Sequence, residues 1–336
     1  MRLVLLAALS AGALSLSACA TSRGAAAPTP DAPVHWHSPL HRDHPWVGRV
    51  WDVQAQQFIQ FEALEARLRD ARYVLLGETH DNVDHHLLQA RLVGSLAQAS
   101  SSKDKRAVAF EMLDTSQQEA IDASLQSAPK DPDALAEAVF WAKSGWPPFA
   151  MYRPIFREAM EASLPILAAN VPRDRLRAAM KEGLPALDET LRERLEREPP
   201  MSDVLQAELA DEMRAAHCGH LPESMMPAFV LAQRMRDAQM ALRMEGAGEG
   251  GAVLIAGGGH VRTDRGVPAF LPPADRSAPK TLSVVMREVS EDMKGMTDPS
   301  AIGGAQPFDF IVFTPAAERP DPCESLRQHG RGAGGS

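Results

Sequence analysis

The stretch from Tyr73 to Asp81 constrains the fold more strongly than any other part of the chain. Four aromatic or apolar residues run directly into a Gly-Glu-Thr-His sequence, and helical patterning follows. A continuous apolar run is typical of a strand buried on both faces of a parallel sheet, and Gly77 allows the chain to turn sharply as it leaves that sheet. Open α/β sheets bind their ligands at the carboxyl ends of the strands. We therefore predict that Glu78 and His80 line a crevice at this edge.

A second stretch, residues 252–260, repeats the order of apolar strand, glycine and histidine, and it ends at His260. Apolar runs at residues 107–110 and 164–170 also end in polar side chains, and residues 173–245 are almost entirely helical in pattern. Repeated alternation of strands and helices predicts an α/β fold, with a mainly parallel central sheet, helices on both faces and a helical cap insertion. The remaining predicted elements are helices over residues 57–70, 114–126, 131–143 and 152–162, a helix after residue 82 whose apolar stripe includes Leu88, Leu92 and Leu96, and strands over residues 281–287 and 308–313.

The first residues are typical of a bacterial lipoprotein leader. Residues 1–18 contain a positive charge, a short apolar core and small residues directly before Cys19. Such a secretory segment is too short for a stable transmembrane anchor, so we expect cleavage before Cys19 and lipidation of its side chain. The alternative is an ordinary cleaved signal peptide in which Cys19 has no role. Residues 19–45 and 316–336 lack an apolar period, which predicts a disordered tether and a disordered tail around a domain over residues 46–315.

Carboxylate and imidazole groups gather at the predicted carboxyl edge of the sheet. The polar residues at or just past the strand ends are Glu78, His80, Glu111, Asn170, Arg173 and His260. Mixed carboxylates and imidazoles suit a divalent-metal site or general acid–base chemistry. In the alternative, structural interpretation, the carboxylates cap helices and each histidine is a satisfied polar residue. The formal net charge of -9 makes nucleic acid an unfavourable partner.

Five motifs of the chain resemble those of the ChaN-type haem-binding lipoproteins, which belong to the Tiki/TraB and erythromycin-esterase-like superfamily. The motifs are Gly77-Glu-x-His-Asp81, Phe110-Glu-Met112, Asn170-Val-Pro-Arg173, Arg236-Asp-Ala-Gln-Met-Ala241 and Gly257-Gly-Gly-His-Val261. The Gly-Glu-x-His motif alone marks only the superfamily. Its combination with the other motifs and a lipoprotein leader indicates the narrower family, and the resemblance covers about residues 46–315.

The resemblance implies a domain that holds ferric haem for haem and iron acquisition. In the ChaN type, two protomers hold haems face to face, a tyrosine of one protomer ligates each iron, and a histidine of the other contacts the propionates. Tyrosinate is an anionic ligand that favours ferric iron. The sequence contains 2 Tyr, and Tyr73 begins a strand at the wrong edge of the sheet, so Tyr152 is the predicted ligand. The predicted haem-contacting residues are Tyr152, Trp146 and Arg173, with His217 or His220 as the partner of the propionates. The segment that contains these two histidines is equally typical of a helix end.

A metal-dependent hydrolase is the second hypothesis. Its catalytic residues would be Glu78, His80, Glu111 and His260, and its cofactor would be a divalent metal ion. A carboxylate would activate water, while the histidines would bind the metal or shuttle protons. The leader and the segment that contains Trp146 and Tyr152 favour haem binding over hydrolysis.

The resemblance also sets expectations for location and partners. We expect a lipid anchor in a bacterial membrane, and the outer membrane is favoured because no acidic residue directly follows Cys19. The expected partners are haem, a second copy of the chain in a homodimer, and an outer-membrane haem receptor system. In an oxidising periplasm Cys218 and Cys323 are available for a disulfide, and the sequence leaves their pairing open.

Overall fold

The computed structural model describes residues 35–99, 105–197, 201–272, 281–293, 298–303, 305–321 and 323–324. The strands are β1 (Val50–Asp52), β2 (Gln57–Ile59), β3 (Tyr73–Glu78), β4 (Ala107–Asp114), β5 (Ile166–Asn170), β6 (Ala252–Gly257), β7 (Thr281–Glu288) and β8 (Phe310–Thr314). The helices are α1 (Phe61–Arg69), α2 (Val83–Ala99), α3 (Gln118–Ser127), α4 (Pro132–Ala138), α5 (Phe149–Glu161), α6 (Arg173–Glu182), α7 (Glu189–Arg197), α8 (Asp203–Ala216) and α9 (Met226–Glu245). The predicted leader, Cys19, the first part of the tether and the end of the tail lie outside the described residues.

The strands form one sheet in the order β2-β1-β8-β7-β3-β6-β4-β5. Strands β3 to β8 pair in parallel with one another, whereas β1 pairs antiparallel with both β2 and β8. This arrangement confirms the predicted α/β fold with a mainly parallel sheet. Of the described helices, none combines the length and apolar character needed to cross a lipid bilayer.

Close packing of β3 against β6 brings the two strand–glycine–histidine motifs together. Glu78 pairs in register with Gly257. A Cβ atom on Gly77 would lie 2.3 Å from Cγ2 of Val261, so only glycine fits at this position without displacement. Glu78 and the loop after Gly257 therefore emerge side by side at one edge of the sheet.

Helices cover both faces of the sheet. Helices α2 and α5 pack on one face, where the stacked rings of Phe110 and Phe156 have centroids 4.2 Å apart. Helices α6 to α9 occupy the region of the predicted helical insertion, and α9 packs on the other face through Met235, Met240 and Met244. The carboxyl ends of the strands thus open between α5 and the α6–α9 cap.

Two of the predicted helices are shorter than expected. The helix predicted over residues 57–70 begins at Phe61, because Gln57–Ile59 pairs with β1 and the Phe58 ring packs against Trp51 at 5.1 Å between centroids. The helix predicted over residues 131–143 ends at Ala138, since Phe140 adopts a left-handed conformation with φ 53 before a 3-10 turn. Tertiary packing overrides the local helical pattern in both places.

Residues 35–45 lie against the domain, although their composition predicts that they belong to the tether. The backbone N–H groups of His37 and Ser38 donate to the Asp84 carboxylate at 2.8 Å each, and Leu40 forms a β-bridge with Ala316. The folded part therefore begins earlier in the chain than predicted. The bridge also places the first residues of the predicted tail on the domain.

Candidate functional site

Glu78, the last residue of β3, is the centre of a buried hydrogen-bonded group. One carboxylate oxygen accepts a hydrogen bond from the Tyr152 hydroxyl at 2.7 Å and pairs with His80 Nδ1 at 2.8 Å. Nε2 of His86, on α2, lies 3.3 Å from the other oxygen. Burial alone would raise the pKa of Glu78, but the charge of His86 and the hydrogen bond with His80 lower this pKa to about 2. Glu78 is therefore an ionised carboxylate at neutral pH.

A second buried group joins β4, β6 and α9. Glu111 accepts a hydrogen bond from the Gly257 backbone N–H at 2.8 Å, and its other oxygen lies 3.2 Å from His260 Nε2. His260 Nδ1 lies 2.6 Å from Asp237 Oδ1. Burial alone would lower the pKa of His260, but the charges of Glu111 and Asp237 raise this pKa to about 10. His260 is therefore a protonated imidazole held between two acidic side chains.

His80 connects the two groups and faces solvent. Its Nε2 lies 3.9 Å from Glu111, and 35% of its side chain is exposed, whereas the side chains of Glu78 and Glu111 are buried. Burial would lower the pKa of His80, but the hydrogen bond with Glu78 and the charge of Glu111 raise it. A Cβ atom on Gly257 would lie 2.9 Å from His80 Nε2, so glycine at this position makes room for the ring.

An open cavity of about 500 Å³ adjoins these groups. Its lining includes Glu111, Asn170, Arg173 and Trp146. Asn170 donates to the Glu111 carbonyl at 2.8 Å, which ties the ends of β4 and β5 together. The rings of Trp146 and His80 meet edge to face, with centroids 4.9 Å apart. The cavity therefore combines an aromatic wall with polar strand ends.

An apolar cleft continues from the cavity. It has a volume of about 670 Å³ and shares Phe140 and Trp146 with the cavity. Phe140 is 68% exposed and holds a left-handed backbone conformation, which is unfavourable for a residue with a bulky side chain. Strained, exposed apolar residues are concentrated at binding sites. A flat apolar ligand could lie across Phe140 and Trp146.

The structure brings most of the sequence-predicted site residues to this edge. Those that meet here are Glu78, His80, Glu111, Asn170, Arg173, His260 and Trp146. Tyr152 differs from the prediction in its depth: it is fully buried beneath His80, and burial together with the charge of Glu78 raises the pKa of its hydroxyl. In this conformation Tyr152 is a neutral phenol that donates to a carboxylate. Its role as a haem ligand stays a prediction that would require the side chain to leave Glu78.

His217 and His220 do not line the cavity of their own chain. Helix α8 ends at Ala216, His217 Nδ1 lies 2.8 Å from the Met213 carbonyl, and the His217 ring packs on Phe229. This geometry agrees with the helix-end interpretation. Cys218, between the two histidines, forms a disulfide with Cys323, which answers the question that the sequence left open.

Sequence reasoning missed His86. Its ring packs on that of Tyr152 with centroids 4.1 Å apart, and its interaction with Glu78 contributes to lowering the pKa of that carboxyl. A signal was present, because α2 carries several polar residues among its apolar ones, and four of them are fully buried: Asp84, His85, His86 and Gln89. Buried polar side chains need partners, so such a cluster indicates a polar network.

The donor groups of the site do not converge on a metal ion. Within the described ranges, no group of three or more His, Cys, Asp or Glu side chains is arranged to hold one. The carboxylates and imidazoles pair with each other instead. The metal-dependent hydrolase hypothesis therefore has no support from the geometry.

The family model for haem-binding uptake proteins (Tiki superfamily, ChaN) matches residues 64–271. The chain belongs to this family. A solved structure described as cofacial haem binding to ChaN of Campylobacter jejuni shares the fold, with 22% sequence identity, a TM-score of 0.60, and coverage of 78% of this chain and 95% of that chain. The family assignment agrees with the resemblance seen in the five motifs, all of which lie within the matched residues.

Two further solved structures show lower similarity. The type III effector HopBA1 has 12% identity and a TM-score of 0.41, covering 76% of this chain and 92% of that chain. An erythromycin esterase EreC mutant in its open conformation has 16% identity and a TM-score of 0.39, covering 84% and 85%. No curated protein sequence matches the chain significantly.

Proposed function

We propose that this ChaN-family protein binds ferric haem in the cavity at the carboxyl edge of the sheet and acts in haem and iron acquisition. The observation that carries the proposal is the cavity itself, in a chain of the haem-binding uptake family. Its lining offers the apolar surfaces of Trp146 and Phe140 together with basic side chains, and the partly exposed imidazole of His80 lies against the Trp146 ring. Haem sites need an axial donor and apolar contact with the porphyrin, and these residues fit both needs.

The geometry favours His80 as the residue that would bind the haem iron. Histidines that ligate metals usually donate their second ring N–H to a carboxylate, and His80 Nδ1 pairs with Glu78 in this way. Its Nε2 lies 3.9 Å from Glu111 and would bind iron after losing the proton that the raised pKa of His80 favours. Tyr152, the ligand expected from the family, would have to lose its hydrogen bond with Glu78 and ionise against a raised pKa.

A titration of the full chain with haemin tests the proposal. Absorption spectra should show saturable binding in the wild type and in Tyr152→Phe, whereas His80→Ala should lose the histidine-ligated spectrum. Tyr152→Phe removes a hydrogen bond to a charged group and should cost about 1.5–3 kcal/mol of stability, so its folding is checked by circular dichroism. If Tyr152→Phe alone abolishes the spectrum, the tyrosine is the ligand and His80 is not. No saturable binding by the wild type would refute the haem-binding proposal.

We further propose that Cys19 is lipidated and that the haem-loaded protein is a homodimer with facing haems. The leader pattern supports the anchor, and the cofacial haems described for the Campylobacter jejuni protein support the assembly. Partition of the full chain into a detergent phase should be lost in Cys19→Ser. The mass of the haem-loaded protein in solution should be twice that of the apo protein. A loaded protein with the mass of a monomer would refute the dimer.

A further inference from the structure

Basic side chains line one wall of the cavity. Lys143, Arg173 and Arg236 all contribute to it, in a chain whose formal net charge is -9. In the part of the chain that the structure describes, none of the three pairs with a carboxylate. Arg173 donates to the Ser144 carbonyl, and the Lys143 ammonium lies 5.6 Å from the centroid of the Phe140 ring. This cation wall is therefore not neutralised by the folded domain.

Arg236 is the most informative member of the cation wall. Its Nε atom is buried without a hydrogen-bond partner, although buried guanidinium groups normally find acceptors. The next residue on α9, Asp237, does not compensate it, because the Asp237 carboxylate binds His260. Arg236 therefore lines the cavity with a positive charge that its neighbour Asp237 does not neutralise.

The cavity's own carboxylates are already engaged elsewhere. Glu111 accepts from the Gly257 backbone and pairs with His260, while Asp114 accepts from the Ser116 backbone. Helix α6 also begins at this wall, at Arg173, without a side-chain cap. Free N–H groups at a helix amino end favour an anion. The cation wall and the amino end of α6 therefore both favour an anion in the cavity.

We propose that Arg236, with Arg173 and Lys143, binds the carboxylate arms of the ligand and makes the cavity selective for flat apolar molecules with acidic side arms. This inference rests on the proposed haem function. It adds that basic side chains of the same chain bind the propionates of the porphyrin. Arginine suits this role because its planar fork of N–H donors matches a carboxylate with two parallel hydrogen bonds.

The test compares free-acid and esterified porphyrins on the full-length protein. Dissociation constants are measured for haemin and haemin dimethyl ester by absorption, and for metal-free protoporphyrin and its dimethyl ester by fluorescence. We expect the wild type to bind each free acid at least about tenfold more tightly than its ester, since charge-assisted hydrogen bonds are lost on esterification. Arg236→Gln should weaken free-acid binding by about tenfold and leave ester binding unchanged.

Arg234→Gln is the matched control, because Arg234 lies on the same helix but lines a different cleft. It should leave all four constants unchanged, and the melting temperature of Arg236→Gln should equal that of the wild type, since Arg236 makes no hydrogen bond to lose. Equal binding of acids and esters by the wild type, or equal effects of the two substitutions, would overturn the cation-wall proposal while haem binding stands. Absence of saturable binding by any porphyrin would instead overturn the haem function itself.

Discussion

The pairing of His260 with Glu111 and Asp237 predicts that the protein loses stability in mild alkali. Folding raises the pKa of His260 from 6.5 to about 10, because the two acidic neighbours outweigh the effect of burial. The folded state therefore holds the proton more tightly than the unfolded state does. This contribution is fully present below pH 6.5 and is lost as the pH rises through about 10.

The size of the effect follows from the difference between the two pKa values. One pKa unit corresponds to about 1.4 kcal/mol, so the full difference amounts to about 5 kcal/mol of unfolding free energy. We expect the free energy of unfolding to fall by about 1.4 kcal/mol per pH unit through this range. In His260→Gln the side chain cannot take up a proton, so the slope that His260 causes should disappear.

Urea denaturation at a series of pH values between 6.5 and 10 measures these slopes. His85→Gln is the matched control, because burial lowers the pKa of His85 to about 4 and this histidine stays neutral throughout the range. The control should therefore keep the wild-type slope even if it is less stable at every pH. Parallel loss of stability in the wild type and in His260→Gln would refute the assigned protonation of His260.

Three further substitutions test the packing around the site. Gly77→Ala places a Cβ atom 2.3 Å from Cγ2 of Val261, so thermal unfolding should show a loss of about 1–3 kcal/mol. Phe140→Gly removes an exposed ring and a left-handed strain of about 1 kcal/mol, so it should raise the melting temperature yet weaken haemin binding. Cys218→Ser opens a link between residues separated by 105 positions, and it should cost up to about 5 kcal/mol by loss of chain constraint.

Each of these substitutions has its own control. Gly259 has no atom within 4 Å of a Cβ position, so Gly259→Ala should be tolerated, and equal losses at Gly77 and Gly259 would contradict the packing argument. Haemin binding that is unaffected by Phe140→Gly would exclude this residue from the site. Reduced wild-type protein should have the same melting temperature as Cys218→Ser. A wild-type melting temperature that reductant does not change would contradict the stabilising role of the disulfide.

The sequence predicted the part of the site that follows directly from buried parallel strands. Strands of this kind are continuous apolar runs, so their ends, and with them Glu78, Glu111 and His260, could be located without a structure. Strand β2 escaped detection because Gln57–Ile59 is too short to show alternation and lies next to a helical pattern. Local periodicity describes long elements well and short edge strands poorly.

The sequence could not predict how deeply a helical side chain is buried or which distant residue it contacts. Tyr152 lies on α5 as its local helical pattern predicts, but its hydrogen-bond partner Glu78 lies 74 positions away in the sequence. Arg236 and Asp237 are adjacent, yet one lines the cavity and the other binds His260. Such differences depend on long-range packing, which a pattern within one segment cannot report.

Segments near both ends of the described chain are bonded to residues just after β3. The N–H of His37 bonds to Asp84 in the first turn of α2, and Arg319 forms two hydrogen bonds with Asp81, next to the exposed imidazole of the site. Since a polypeptide extends by at most about 3.5 Å per residue, acylation of Cys19 would hold this edge of the domain within about 60 Å of the bilayer. The cavity would then bind its ligand close to the membrane surface, and the distance over which ligand and protein must diffuse to meet would be short.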